Sequence, residues 1–183
     1  MAGTLSVQKI QGLATSATPT VVEIASGHQI TGAAGSIIVP GQVLQLVHAN
    51  FTTQVNTSGT GFTEIGLNAT ITPKKSTSRI FITFTPQFRL HSTNSDAGVG
   101  WGIKRDIGGT EVRVYYTELA YHDYMYMNGS WFDTRKTSTV NYVDTPSTTS
   151  ATTYKAEYRR YSGTVEINKG TTNSNMTLME IAN

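Results

Sequence analysis

From Gly41 to Asn183 the chain is written in phrases the length of a β-strand, separated by Gly, Asn, Ser and Pro. Side chains alternate between the two faces of a strand, so each phrase can be tested for one apolar face. Arg79 to Leu90 is the strongest: Ile80, Ile82 and Phe84 fall on one face and Phe81 on the other. The closing run Met176-Thr177-Leu178-Met179-Glu180-Ile181 alternates in the same way. Further strands are read at Val43–Ala49, Phe62–Ile65, Leu67–Ile71, Gly98–Lys104, Thr139–Val143, Thr153–Tyr161, Thr164–Asn168 and Asn175–Ala182. Gly66 interrupts its phrase as a bulge would, and Pro86 requires an edge, a bend or a bulge. Asn56–Gly61 and Pro73–Ser78 read as turns, and Gly108-Gly109 between Ile107 and Glu111 reads as a primed hairpin turn. No window of about eleven residues or more holds a helical period with caps. The best helical candidate, Glu118 to Met127, is polar and aromatic on every side. The expected fold is therefore all-β: an antiparallel, jelly-roll-like sandwich of about eight strands.

Residues 1–40 are of another kind. Leu5, Val7 and Ile10 form one short apolar phrase, and Val22 and Ile24 belong to a second. Two strands this short do not make a stable sheet by themselves. They need partners, either from the body or from other copies of the chain. The expected organisation is an extended N-terminal docking arm, 1–40, on a sandwich body, 41–183, with Gly32 to Ser36 as the joint.

Charge narrows the function. Asp, Glu, Lys and Arg make up 14% of the 183 residues, against about 25% in an average soluble protein. A Thr/Ser/Asn surface of this kind suits a protein whose faces are partly buried in an assembly. Net charge is +2, and Lys and Arg occur in runs no longer than pairs, such as Arg135-Lys136. Nucleic acid, which calls for a concentrated basic face, is not an expected partner. There is no cysteine, so disulfides and thiolate metal sites are excluded. The N-terminus lacks the apolar core of a signal peptide. No apolar run approaches the ~18 residues of a membrane span.

No reaction centre declares itself. His28, His48, His91 and His122 lack metal-ligand spacing, and no two of the carboxylates are spaced as an acid–base pair. There is no nucleophile elbow and no P-loop. Gly98-Val99-Gly100-Trp101-Gly102 opens no helix, so its glycines mark a close approach within a strand. No enzyme, cofactor or metal is expected. Five Asn-X-Ser/Thr sequons follow from composition alone and are read as unglycosylated. The densest aromatic stretch, Tyr115 to Phe132, includes Tyr121, His122, Tyr124, Tyr126 and Trp131. Rings with a polar edge suit inter-subunit or core packing, a partner surface or a sugar site. Alternation puts Tyr124 and Tyr126 opposite Met125 and Met127.

The opening Met1 to Gly12, the phrase Val22 to His28 and the body entry Pro40 to Val47 carry a resemblance. So do Phe62 to Pro73, Ser76 to Ile80 and the ending Asn175 to Ala182. In these segments the chain resembles small tail-fibre-like and virion structural β-proteins of cyanophages and other marine phages. Gln87 to Ser174 matches poorly. The resemblance implies a non-enzymatic virion protein made in the host cytoplasm: a homotrimeric fibre or appendage. The arm would bind other virion proteins, and the aromatic loops would face the host surface, including its polysaccharide. The alternative is a capsid decoration protein, a cement or head spike, which copy number per particle would distinguish. A glycan-cleaving depolymerase is a remote third reading, since it needs a carboxylate pair in a groove.

Overall fold

In the computed structural model the strongest sequence phrase, Arg79 to Leu90, is a strand folded at Pro86 into β4 (Arg79–Thr85) and β5 (Gln87–Ser92). The structure describes Ser26 and residues 38–183 apart from 94–95 and 118–121. The chain divides into Met1–Ile37 and Ile38–Asn183. The arm residues Leu5, Val7, Ile10, Val22 and Ile24 therefore lie outside the described residues. Among the described residues every regular element is a strand.

The other segments are β1 (Val43–Phe51), β2 (Val55–Thr57), β3 (Thr63–Ile71), β6 (Asp96–Ile107), β7 (Thr110–Tyr116) and β8 (Asp123–Tyr126). They continue with β9 (Phe132–Thr137), β10 (Val140–Asp144), β11 (Thr152–Ser162), β12 (Thr164–Ile167) and β13 (Ser174–Ile181). One four-stranded ladder runs β1-β13-β4-β10 and a second runs β2-β12-β5-β9. The two are halves of a single creased sheet, because each strand of the first continues into its counterpart in the second. Phe51 pairs with Ser174 below the crease and Val55 with Ile167 above it. Facing the creased sheet is β3-β11-β6-β7, with β8 also paired to β6. All pairings are antiparallel. Two facing sheets with this interleaved order are a jelly roll, as the strand pattern leads one to expect.

The crease has a specific chemistry. Pro86 sits in an interior strand, where its missing N–H would ordinarily break the ladder. Here the ladder is already interrupted in all four strands. One residue, Pro86, separates β4 from β5, whereas 168–173 separate β12 from β13, so the longer segment must loop out. Asn168 anchors it, fully buried and in the left-handed region at φ 53°, which Asn tolerates better than most residues. Its Nδ2 donates to Phe51 O (2.7 Å) and Thr53 O (3.3 Å), and its backbone N–H donates to Gln87 O (2.8 Å). Ser174 Oγ donates to Asn168 Oδ1 (2.8 Å) and accepts from the Gln87 N–H (3.0 Å). Ser138 N–H donates to Pro86 O (3.2 Å). Backbone groups freed by the bend are thus paired, as buried polar groups must be.

The core lies between the sheets. Inward rows in the lower half read Val47–Leu178–Ile82–Tyr142 and Ala49–Met176–Phe84–Val140 by register. Val99, Trp101 and Ile103 of β6 face them with Tyr154, Ala156 and Tyr158 of β11, all fully buried. Trp101 meets Phe84 and Phe88 edge-on, with ring centroids 5.7 and 5.0 Å away. At one end of the core Asp144 of β10 accepts from Arg105 (2.9 and 3.0 Å) and from the Tyr154 hydroxyl (2.7 Å). That contact bridges the two sheets.

Local sequence signals work where expected. Gly66 has φ 96° at a bulge, where 65–67 of β3 oppose a single residue of β11, between the pairs Lys155–Asn68 and Glu157–Glu64. A Cβ there would meet the Phe51 ring at 3.0 Å. Gly108 and Gly109 both have positive φ, 59° and 85°, the signature of a type I′ hairpin. The turn expected at Asn56–Gly61 starts later, because Val55–Thr57 pairs with β12. β9 is an element that periodicity misses, since Asp133, Arg135 and Lys136 disguise it.

Glu180 closes the turn after β3. Its carboxylate is fully buried and accepts from Gln45 Nε2 and from the N–H groups of Lys74 (2.8 Å) and Lys75 (3.3 Å). Burial pushes its pKa up, but Ser78, Gln45 and the two backbone N–H groups outweigh burial and hold it below the ordinary 4.5. A depressed carboxylate contributes stability that is present above the unfolded value and lost as pH falls through the folded one. Glu180→Gln should therefore lower stability by about 2 kcal/mol at neutral pH. It should also flatten the decline below pH ~4.5, read from urea unfolding across pH. Asn168→Ala should cost about 3 kcal/mol, since it strips the crease of its donors and leaves buried carbonyls unpaired. An unchanged urea midpoint would show that the crease holds without it.

Candidate functional site

Register decides what the outward face of the creased sheet presents. Leu46 pairs with Met179, Met179 with Phe81, and Phe81 with Val143. These four outward side chains form one apolar row across the full width of β1-β13-β4-β10. Leu46 is 59% exposed and Val143 47%, while Met179 and Phe81 are half-buried. The next row is His48–Thr177–Thr83–Asn141. Its members bond pairwise, His48 Nδ1 to Thr177 Oγ1 and Thr83 Oγ1 to Asn141 Oδ1, each at 2.9 Å. A third row is Asn50–Asn175–Thr85. No charged residue occurs in these three rows.

The outward face of the opposite sheet is the reverse. Lys104 holds Glu64 and Glu111, each at 2.9 Å, and Glu157 at 3.4 Å. Lys155 pairs with Glu111 and with Asp106 (3.2 Å), and Arg113 with Glu157 (2.6 Å). Hydrogen bonds from Lys155 and Lys104 hold the Glu111 carboxyl below its ordinary value. The Phe62 ring lies between the guanidinium groups of Arg113 (4.4 Å) and Arg159 (5.1 Å). Gly102 lies beneath that ring, and a Cβ on it would stand 3.0 Å from Phe62. That is the close approach expected of the strand glycines. Charge saturates one face of the body, whereas on the lower half of the other it is confined to Arg79 at the margin, where β4 begins.

The aromatic stretch divides between core and surface. Phe132 is buried, and Tyr115 and Met125 pack on the core. Tyr124, Tyr126 and Trp131 are exposed, Trp131 at 69%, and His122 is exposed in a bend. Tyr121 lies outside the described residues. The tyrosines of β8 face outward opposite Met125, but Met127, past the end of the strand, is exposed as well. Tyr124 meets Tyr161 edge-on at 6.0 Å, and its hydroxyl donates to Asp96 at 3.4 Å. Burial, with Asp96 nearby, raises its pKa. Asp123, beside His122, is structural: it accepts from Trp101 Nε1 (3.0 Å) and from Ser138 Oγ.

The buried carboxylates are spoken for by donors or cations. Asp144, Glu157 and Glu180 are bound as described above, and Glu166 is held by Arg89, Lys169 (2.9 Å) and Gln54 (3.1 Å). Among the described residues no group of three or more His, Asp or Glu could hold a metal ion. Sequence reading placed Phe81 on the outward side of its strand. It missed the apolar row, because a row exists only once four distant strands are in register.

No protein-family model matches the chain, and no curated protein matches it. Among solved structures it is similar to a chain in the structure of infectious bursal disease virus, Gx strain, with TM-score 0.44 and 13% identity over 84% of this chain. It spans 38% of that chain. It is also similar to Eiger TNF from S. frugiperda, with TM-score 0.36 and 7% identity, covering 79% of this chain and 95% of that one. At these scores neither likeness bears on function, and the fold rests on the strand pairing itself.

Proposed function

We propose that this chain is a non-enzymatic structural protein of a phage virion, a homotrimeric fibre or appendage attached to the particle through residues 1–40. The observation that carries the reading is the apolar row Leu46–Met179–Phe81–Val143, which crosses a face whose one charged side chain in β1, β13, β4 and β10 is Arg79 at its margin. Rows of Thr, Asn and His border the apolar row on one side, so most of the face can be dehydrated without stripping water from an ion, and the exposed Arg79 stands at the other margin. Interface cores are depleted in charge in just this way. A flat neutral face of β-sheet suits another copy of the same chain. The number three is implied by the resemblance of the leader and body entry to phage virion proteins. Closure about a three-fold axis lets unlike patches meet without leaving an open filament. The exposed Tyr124, Tyr126 and Trp131 then serve as the surface presented to the host.

The full chain should have the mass of a trimer by light scattering. Leu46→Glu or Val143→Lys should weaken association by about 2 kcal/mol per contact or more. The folded monomer then becomes the main species at micromolar concentration. Wild-type chain that stays monomeric at every concentration would remove the assembly reading. Quantitative mass spectrometry of particles should find the chain as a virion component, and its copy number should be that of an appendage.

A further inference from the structure

Where the crease meets the sheet edge there is a cavity of about 150 Å³. Arg135 and Lys136 of β9 line it with Lys169 of the 168–173 segment, and Thr137, Thr172 and Gln87 add hydroxyl and amide groups. No carboxylate lines it. Lys169 is shared with Glu166 at 2.9 Å. Among the described residues neither Arg135 nor Lys136 has an ion-pair partner. In a chain with so few charges, the cleft sets Arg135 beside Lys169, while alternation turns the Lys136 side chain to the other face of β9, across from Phe88. The hydrogen-bonding capacity of Arg135 and Lys169 matches an anion with several oxygens, and a guanidinium in particular pairs two-pronged with carboxylate or sulfate.

Among the described residues β9 pairs only with β5, which makes it an edge strand of their sheet. Alternation puts Asp133, Arg135 and Thr137 on its exposed face, and exposed Trp131 immediately precedes it. Four residues of extended chain separate Trp131 from Arg135, about 13 Å. Between them Asp133 is clamped by Arg89 through two bonds of 2.6 and 2.7 Å. Arg89 also keeps the Asp133 carboxyl below its ordinary value. The acidic group on this strip is thus held by a cation, Arg89, which is shared between Asp133 and Glu166. The strip offers an aromatic face at one end and a basic cleft at the other. A small free anion would use only the cleft, and a nucleic acid would call for a longer basic stripe. A polymer of sugars bearing acidic groups uses both ends, because an indole face stacks on the apolar side of a sugar ring.

We propose that β9 and the 168–173 segment bind an acidic polysaccharide, its carboxylate or sulfate group seated between Arg135 and Lys169 with a nearby sugar on Trp131. This deepens the reading of the protein as a host-facing virion component and rests on it. The test is binding of the full chain to dextran sulfate and polygalacturonate, with unmodified dextran, inorganic sulfate and polyuridylate as further arms.

Both acidic polymers should bind and dextran should not, with affinity falling as salt rises. The double variant Arg135→Ala, Lys169→Ala should weaken polymer binding at least tenfold. Arg135→Lys should retain most of it. Trp131→Ala should weaken it about tenfold, a loss of about 1.4 kcal/mol, without altering competition by inorganic sulfate. These side chains lie at the surface, and unchanged thermal unfolding confirms that the variants fold. Equal binding of dextran and dextran sulfate would overturn the site, as would wild-type affinity in the double variant. Polyuridylate binding as tight as that of dextran sulfate would reassign it to nucleic acid. A Trp131→Ala variant that binds polymer like wild type would reduce it to a small-anion cleft, which also refutes the proposal. The two readings fail separately. A trimeric particle protein that ignores acidic glycans loses only this site, and a monomeric chain absent from particles loses the virion role whatever it binds.

Discussion

The indole of Trp101 is fully buried between the rings of Phe84 and Phe88, which stand two residues to either side of Pro86. A flat sheet could not bring both rings onto one indole in this way. The crease at Pro86 folds the sheet around it, and the Asn168–Ser174–Gln87 bonds hold the crease. The single polar atom of the indole is answered by Asp123, which also accepts from Ser138 at the crease. Burying a tryptophan this large is worth several kcal/mol only if its N–H is satisfied. The interior contact, the fold line and the position of β8 therefore depend on one another.

Charge follows from the same economy. With few ionisable groups available, the body places most of them on the outward face of one sheet and on the upper half of the other, where Arg89 joins Asp133 to Glu166. Lys104, Lys155 and Arg113 face the carboxylates of Glu64, Asp106, Glu111 and Glu157 across four strands. Such networks are mutually satisfied and make poor partner surfaces, because docking there would require stripping water from every ion. The opposite face costs little to dehydrate. The Thr and Asn rows already bond to each other, so covering them leaves few groups unpaired. This division is the ground for the proposed assembly.

The aromatic stretch shows why a dense motif can mislead when taken as one object. Phe132 and Met125 serve the core, Asp123 serves Trp101, and Tyr124, Tyr126 and Trp131 remain outside. A chain passing from one sheet to the other must alternate between interior and surface. Neighbours in sequence thus have separate physical tasks. Trp131 gains a specific meaning only beside Arg135, two alternations further along the same edge strand.

Alternation of β-formers and punctuation by Gly and Pro were enough to establish an all-β antiparallel sandwich, because strand period and turn geometry are local properties. The bulge at Gly66, the I′ turn at Gly108-Gly109 and the bend at Pro86 were legible for the same reason. β9 was not, because its charged side chains belong to an edge strand whose pairing compensates for its poor pattern. The apolar row Leu46–Met179–Phe81–Val143 was beyond reach as well, since each member looks ordinary in its own phrase. Register across residues more than a hundred positions apart brought them together. The basic cleft likewise joins β9 to a segment some thirty residues later. What the chain could fold into was thus written in its local periodicity. Which of its side chains meet on a shared face was decided by long-range pairing, because contacts between strands are set by sheet order and not by distance along the chain.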